Sequence, residues 1–415
     1  MKKYDVIVLG GGFAGVSAAV SSARLGAKVL IVEKSNCFGG AAVNCLVNPF
    51  MDYFTKIDNE KFILSRGIFE EILKNLEDRN ALKNESFAEE ELKLILNRMV
   101  LAEGIDVLFH SFVFEVNKDD ENITSVTVVN KSGKMTIEAD CFIDATGDAD
   151  VAYLAGCPYV LGRKEDNLCQ PMTLCFRVGN VDVPKFRKTF NKVNELYKKN
   201  LAEGKFKNPR ENILVFNWYG ADNVLHFNTT RIIKKNPVDA IDVSMAELEV
   251  REQVFEVYEF LKANADGFEN SFLMMTASEI GVRESRMIQG EYILTGKDIV
   301  ACKKFDDAIA ACNYDIDIHN PEGSGTSHYY FKPGEYYTIP YRCLTPKNTD
   351  NLLVAGRCIS VTHEAQASCR IMPICFCLGQ AAGVAAAVAS KHNATVKEID
   401  VTELRQRLKD VNAFV

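Results

Sequence analysis

No stretch of the 415-residue chain approaches the roughly 18 uninterrupted apolar residues of a membrane span, so no such span is expected. The opening Met1-Lys2-Lys3 leads into only four apolar residues, 6–9, before three glycines. A secretory leader needs about 7 to 15, and the expected location is cytoplasmic. Basic residues are not in excess: the formal net charge is -8, which leaves no clustered Lys and Arg for a phosphate backbone and excludes a dedicated nucleic-acid surface. There is no CxxC pair among the 13 cysteines. Their odd number and scatter fit reduced thiols, and Cys375 with Cys377, a CxC, gives little support for a zinc or iron–sulfur site. Internal repeats and low-complexity linkers are missing too.

The chain does carry the composition of a folded protein, with 47% hydrophobic and 25% charged residues. At roughly 150 residues per unit, its length suggests two or three units. Residues 4–9 and 28–33 read as short apolar strands flanking a small-residue helix over 16–25, a βαβ unit that opens a doubly wound parallel sheet. A charged helical stretch follows over 67–103. Strands are then expected at 106–114, 123–130, 134–138 and 140–145. From about 161 to 344 the pattern turns aromatic and alternating, and a strand at 351–355 and an Ala/Gly-rich helix at 373–390 close the chain. The expected architecture is α/β: a discontinuous Rossmann-type domain, 1–160 and 345–415, carrying an inserted α+β substrate domain, 161–344.

Gly10, Gly12 and Gly15 form GxGxxG between the first strand and the first helix, with Phe13 and Ala14 inside the motif and Glu33-Lys34 closing the second strand. One glycine makes the tight turn, one lets a pyrophosphate approach the backbone, and one lets helix and strand pack closely. The phosphates would meet the free amides and positive dipole of the helix start, and Glu33 would accept from ribose hydroxyls. The fingerprint separates neither FAD from NAD nor a cofactor loop from a plain turn.

Other segments narrow the choice: Gly39-Gly40-Ala41-Ala42, Ala145-Thr146-Gly147, Gly356-Arg357, and GQAAG from Gly379 through Ala381 and Ala382 to Gly383. With these, the chain resembles the glutathione-reductase-like flavoproteins. It is more closely similar to the FAD-dependent oxidoreductase family that pairs an N-terminal GGGxAG with a C-terminal NLLVAGRCIS…GQAAG block. The resemblance runs through QPMTLCFRVG (170–179), EIGVRESRMIQGEY (279–292) and IPYRCL (339–344). It implies non-covalent FAD in an extended pose, its adenine near the glycine motif and the backbone of Val113. Its ring system would lie by Gly40 to Ala42, Arg357 and a helix start at Gly379 to Ala382, whose dipole would favour negative charge on the reduced ring. Small residues in GQAAG also suit tight helix packing. Where disulfide reductases of this superfamily read GGTCVNxGCxP, this chain reads GGAAVNCLVNP. Ala42 and Val47 stand at the two cysteine positions, so dithiol chemistry there is not expected, and Cys37 and Cys45 read as buried thiols.

A second GxGxxG is absent, so electrons must pass to or from a small-molecule substrate, a transient nicotinamide, a protein carrier or oxygen. An electron-transfer subunit of a larger complex is the alternative reading. On the substrate side, Arg283 and Arg286, three apart on an expected helix, could bind an anion together or pair with Glu279 and Glu284. His319 and His328 lie in a glycine-rich loop, and Tyr341, Arg342 and Arg370 complete the polar candidates. His363, between the returning strand and the GQAAG helix, is the expected catalytic acid or base, with Arg357 and Arg370 holding its imidazole neutral.

Overall fold

The computed structural model describes residues 3–415. Its main sheet runs in the order Asp106–Leu108, Val29–Val32, Lys3–Leu9, Gly133–Asp144, Asn122–Asn130, Phe112–Asp119, and Leu352–Val354 also pairs with Gly133–Asp144. The first four strands in that order are mutually parallel, as is Leu352–Val354. Val29–Val32 is buried along its whole length, as befits a strand of branched apolar residues covered on both faces.

The expected strands 134–138 and 140–145 are one strand of 12 residues, Gly133–Asp144. Its first half pairs antiparallel with Asn122–Asn130, and its last three residues pair parallel with Leu352–Val354. One strand thus serves a meander and the Rossmann sheet, which no local pattern reveals. The charged stretch 67–103 divides into helices Ile68–Asp78 and Glu89–Ala102, split by a short hairpin.

The helix Phe13–Arg24 lies against the helix Met372–His392 through small residues. A Cβ on Gly379 would strike the Ala14 carbonyl, and one on Gly383 the Ala18 carbonyl. Ser17 Oγ donates to Phe376 O at 2.7 Å and Ser22 Oγ to Gly383 O at 2.9 Å. Phe13 stacks on Phe376 with ring centroids 4.2 Å apart. Met372–His392 is long and apolar enough to cross a membrane by composition, yet 94% of its most apolar window is buried in the protein.

A second core gathers around an antiparallel sheet ordered Val215–Asn217, Leu225–Phe227, Phe176–Gly179, Phe272–Thr276. Phe186 and Tyr197 of helix Val183–Ala202 and Val250, Val257 and Phe260 of helix Ala240–Asn264 fill it. Each helix has an Asp cap: Asp182 accepts from Lys185 N, and Asp239 from Ile241 N and Asp242 N. The second core draws on Met172 to Ile280, besides Leu46, whereas Met287, Ile309, Tyr337 and Leu344 sit in the first core. The residues of the second core thus come from a shorter stretch than 161–344.

Candidate functional site

A cavity of about 440 Å³ opens at the glycine loop and runs to the second core. Cofactor pockets occupy roughly 300–1,000 Å³. Gly10 has φ +105°, and a Cβ there would collide with the Ala145 carbonyl. A Cβ on Gly15 would collide with the carbonyl of Gly10, so Gly15 is fixed by packing and does not itself line the cavity. Gly12 differs, since the nearest atom to a Cβ there is Gly40 Cα at 3.9 Å. Gly12 caps Phe13–Arg24 without any side-chain hydrogen bond, and the first turn holds no acidic residue. The amides of that turn, beside Phe13 and Ala14 in the cavity wall, are left for an anion.

Glu33 is buried in the same wall. Its Oε2 accepts from Gly11 N at 2.5 Å and its Oε1 from Ser35 N at 2.7 Å. A carboxylate accepts about four hydrogen bonds, so capacity remains for a hydroxyl. Lys34 pairs with Glu279 of the insert at 3.4 Å. Burial pulls the Lys34 pKa down, but Glu279 and Asp148 outweigh it and the ammonium is held above its usual value. Gly39, Gly40, Ala41 and Ala42 form another side of the cavity, and Val113 with Ser111 and Phe112 lines it near Glu33.

Ala145, Thr146 and Gly147 follow the long strand and line the cavity, and its last residue, Asp144, is fully buried. It accepts from Thr146 Oγ1 at 2.7 Å, Thr146 N at 3.1 Å and Ala152 N at 2.9 Å. Burial pushes its pKa up to about 6 against these donors. Gly356 and Arg357 line the cavity too, with the Arg357 guanidinium beside Gly147. Arg357 donates to Asp148 Oδ1 at 2.6 Å and to Ser285 Oγ at 2.9 Å. Desolvation works against the charge on Asp148, but Arg357 and Ser285 prevail and hold its pKa below the usual value. Asp148 escaped the sequence reading, and its place directly after Ala-Thr-Gly was the signal available.

Several expected placements differ. The helix that ends at the cavity begins at Met372, and Arg370, Met372 and Cys375 form the wall there. Gly379, Ala381 and Ala382 come seven or more residues later, about 10 Å further along at 1.5 Å per residue. They are buried in helix packing and line no part of the cavity. His363 starts the helix His363–Cys369, but its Nδ1 lies 2.7 Å from Glu284 Oε1 and its ring is outside the cavity wall. The structure thus gives no support to a role for His363 at the flavin.

Residues 281–288 are extended rather than helical, with a bridge at Gly281 and the strand Arg286–Ile288. Arg283 and Arg286 consequently do not share a pocket. Arg286 pairs with Asp150 Oδ1 at 2.8 Å and lies over the ring of Tyr153. Arg283 donates to Pro171 O, Thr173 Oγ1 and Asn228 Oδ1. Tyr341 is buried and donates to Val396 O, and Arg342 pairs with Asp307. His319 and His328 both approach Asp317, at 3.3 and 3.7 Å.

Cys45 and Cys375 line the cavity, and burial pushes both thiols up to about 12. The Cys37 thiol faces Asn44 Oδ1, while that of Cys45 faces Ile280 O. Among the described residues, no three His, Cys, Asp or Glu side chains group as a metal site.

Comparison with known proteins brings short matches among sequence relatives, full-length alignments at low identity among solved structures, and a family model that matches nearly the whole chain. A soluble pyridine nucleotide transhydrogenase of Mycobacterium tuberculosis is 48% identical over 44 residues, 11% of this chain and 9% of that protein. A mitochondrial dihydrolipoyl dehydrogenase of Schizosaccharomyces pombe is 31% identical over 159 residues, 35% of this chain and 28% of its own. The chain therefore spans less than a third of either. Among solved structures, a geranylgeranyl bacteriochlorophyll reductase-like protein from Thermoplasma acidophilum aligns with TM-score 0.48 and 14% identity, covering 99% of this chain and 84% of that one. The p-nitrophenol 4-monooxygenase of Pseudomonas putida gives TM-score 0.48 and 11% identity, covering 100% and 94%. The sequence model described as FAD dependent oxidoreductase matches residues 5–408. The chain belongs to the FAD-dependent oxidoreductase family.

Proposed function

We propose that this flavoprotein oxidises or reduces a small organic molecule bound at the inner end of the cavity, and exchanges electrons with a second partner. The observation that carries the reading is continuity. The same cavity that begins at Gly10 and Gly12 reaches Pro237, Val243, Glu247 and Val282 of the insert, so a cofactor lying along the glycine loop shares a chamber with residues the nucleotide unit does not supply.

The residues fit FAD: the open position at Gly12 and the uncapped helix start suit a pyrophosphate, and Glu33 beside Val113 suits the adenosine end. Bound there, FAD supplies the hydride or electron transfer. The chain's own residues do the rest. Arg357 and the start of Met372–His392 place positive potential beside Gly40 to Ala42. The Asp148–Arg357 pair keeps that guanidinium fixed. Val282 and Ile280 restrict water at the inner end.

Anaerobic mixing of the purified, flavin-loaded protein with a metabolite panel, followed by flavin bleaching or reoxidation, tests the reading. Turnover of a small molecule by the protein alone is the expected result. Flavin that responds only to a protein carrier would overturn it in favour of an electron-transfer subunit.

A further inference from the structure

A second cavity, of about 390 Å³, lies where the insert meets the nucleotide unit, and it shares no lining residue with the first. Part of its wall is the face of the insert's sheet turned away from the second core. Successive residues of a strand point to opposite faces, so Leu225 and Phe227 enter that core while His226 turns the other way. Paired with His226 across the sheet are Phe216 and Arg177. The Phe216 and His226 rings, 6.3 Å apart, both line the cavity. Trp218 lines it too, with the Arg177 guanidinium over its ring at 4.6 Å. The nucleotide unit contributes Asn48 and Ser86.

The buried polar groups around this wall are mostly spent. Asn48 Nδ2 donates to Phe87 O at 2.8 Å and to Glu89 Oε1 at 2.9 Å, and its Oδ1 accepts from Ser86 Oγ at 2.9 Å. Glu89 is paired with Arg177 and also accepts from Trp218 Nε1 at 3.4 Å. His226 is the exception: it is 3% exposed, and neither ring nitrogen has a partner among the described residues. Arg177 Nε is likewise buried without a partner. Burial, and then Arg177, pull the His226 pKa down to about 3, so at neutral pH the ring is uncharged and carries one donor and one acceptor. A buried donor and acceptor left unmatched cost stability that a bound ligand restores.

The charges nearby decide which group fits. Arg177 and Glu89 neutralise each other beside the imidazole, so a ligand carboxylate or ammonium here would be a buried charge without a counterion. Lys83, Arg187 and Asp222 stand at exposed positions of the lining, where water and salt screen them. A hydroxyl or a carboxamide donates and accepts without charge. The rings of Phe216 and Trp218 suit an aromatic body, through stacked or edge contacts.

We propose that the second cavity binds a small uncharged aromatic molecule bearing a hydroxyl or a carboxamide, hydrogen-bonded to His226 and lying against Phe216 and Trp218. The site is separate from the flavin chamber and independent of the reading given to that chamber.

Trp218 is the single tryptophan of the chain, so its emission reports this cavity. The test titrates the FAD-loaded protein with phenol and benzamide, and with toluene and benzoate, isosteres that lack the polar group or carry a charge. Tryptophan emission, flavin absorbance and Tm are read together. Phenol or benzamide is expected to change the emission saturably and to raise Tm, and toluene and benzoate to bind at least tenfold more weakly. His226→Phe, which keeps a ring and removes both nitrogens, should raise the Kd of the binding probe at least tenfold with FAD content unchanged. His226→Leu makes the same deletion in less volume and serves if the Phe variant does not fold. No saturable response to either probe, equal binding of toluene or benzoate, or unchanged affinity in the variant would overturn the proposal. A response that shifts the flavin spectrum and survives the variant places the probe in the first cavity and overturns it as well.

Discussion

The two ends of the cavity are made of different materials. At the glycine loop the wall is backbone, set by the turn at Gly10, the bare helix start after Gly12 and the close approach of Gly15. At the inner end the wall is side chains: Arg370, Arg357 and Val282, with Asp317 behind them. A backbone site tolerates few residues at fixed spacing, whereas a side-chain site can be assembled from any distant positions that the fold brings together. The first kind is common to many chains that bind the same cofactor. The second kind separates one chain's substrate from another's.

The sharpest way to break this contrast is within the glycine motif. Gly15→Ala drives a methyl into the Gly10 carbonyl and should cost about 3 kcal/mol of stability, the upper range for overpacking, with loss of bound FAD. Gly12→Ala should keep the fold and lose affinity for FAD alone. Denaturant titration beside flavin content separates the two, and equal stability loss in both variants would blur the distinction between packing and cofactor glycines.

Next in size is Asp144, which braces Thr146 behind the backbone-built end. Its folded pKa is about 6 against an ordinary 3.8, so between those values the folded state holds the proton that the unfolded chain releases. Stability then falls as pH rises through that window, by about 3 kcal/mol at roughly 1.4 kcal/mol per unit. Asp144→Asn should abolish that fall. Urea midpoints measured from pH 3.5 to 6.5 check it, and a parallel slope in the variant would assign the effect elsewhere.

Glu33→Ala should weaken FAD by about 1.5 to 3 kcal/mol, the scale of a hydrogen bond to a charged group. The apoprotein should loosen as well, because the carboxylate also ties down Gly11 and Ser35. An unchanged FAD Kd would reduce Glu33 to a brace. The smallest effects are expected at the thiols. Cys37→Ser and Cys45→Ser should retain flavin reduction, and a charge-transfer band that vanishes in either variant would show dithiol chemistry after all.

These contrasts also mark what the sequence could reveal. Strand, glycine loop, helix and acidic residue follow one another within 33 positions, so Gly10, Gly12, Gly15 and Glu33 could be read in order. Arg357 and Gly147 were readable because each follows a strand end. The long strand Gly133–Asp144 was not, since its two halves answer to partners on opposite sides of the chain. Arg283 and Arg286 were misplaced because an expected helix was a strand, and an extended chain sends residues three apart to opposite faces. The GQAAG segment was read as a helix start when the start lay at Met372. A helix that is apolar all round gives no face to distinguish packing from cofactor contact. The pairing of Asp317 with Arg370, His319 and Tyr314 depended on tertiary contacts alone.

The small-residue seam between Phe13–Arg24 and Met372–His392 also sets a timetable. Ser17 and its acceptor, the Phe376 carbonyl, are 359 residues apart in the chain. At roughly 5–20 residues per second, the ribosome needs about 20 to 70 seconds to deliver one after the other. Throughout that interval the helix behind the glycine loop has a bare apolar flank, and the loop itself stands on a half-built sheet. The insert, whose core draws almost wholly on one continuous stretch, can fold while the nucleotide unit waits. A nascent chain of this protein should therefore be exposed to chaperones at its beginning and acquire FAD only after its last helices have emerged.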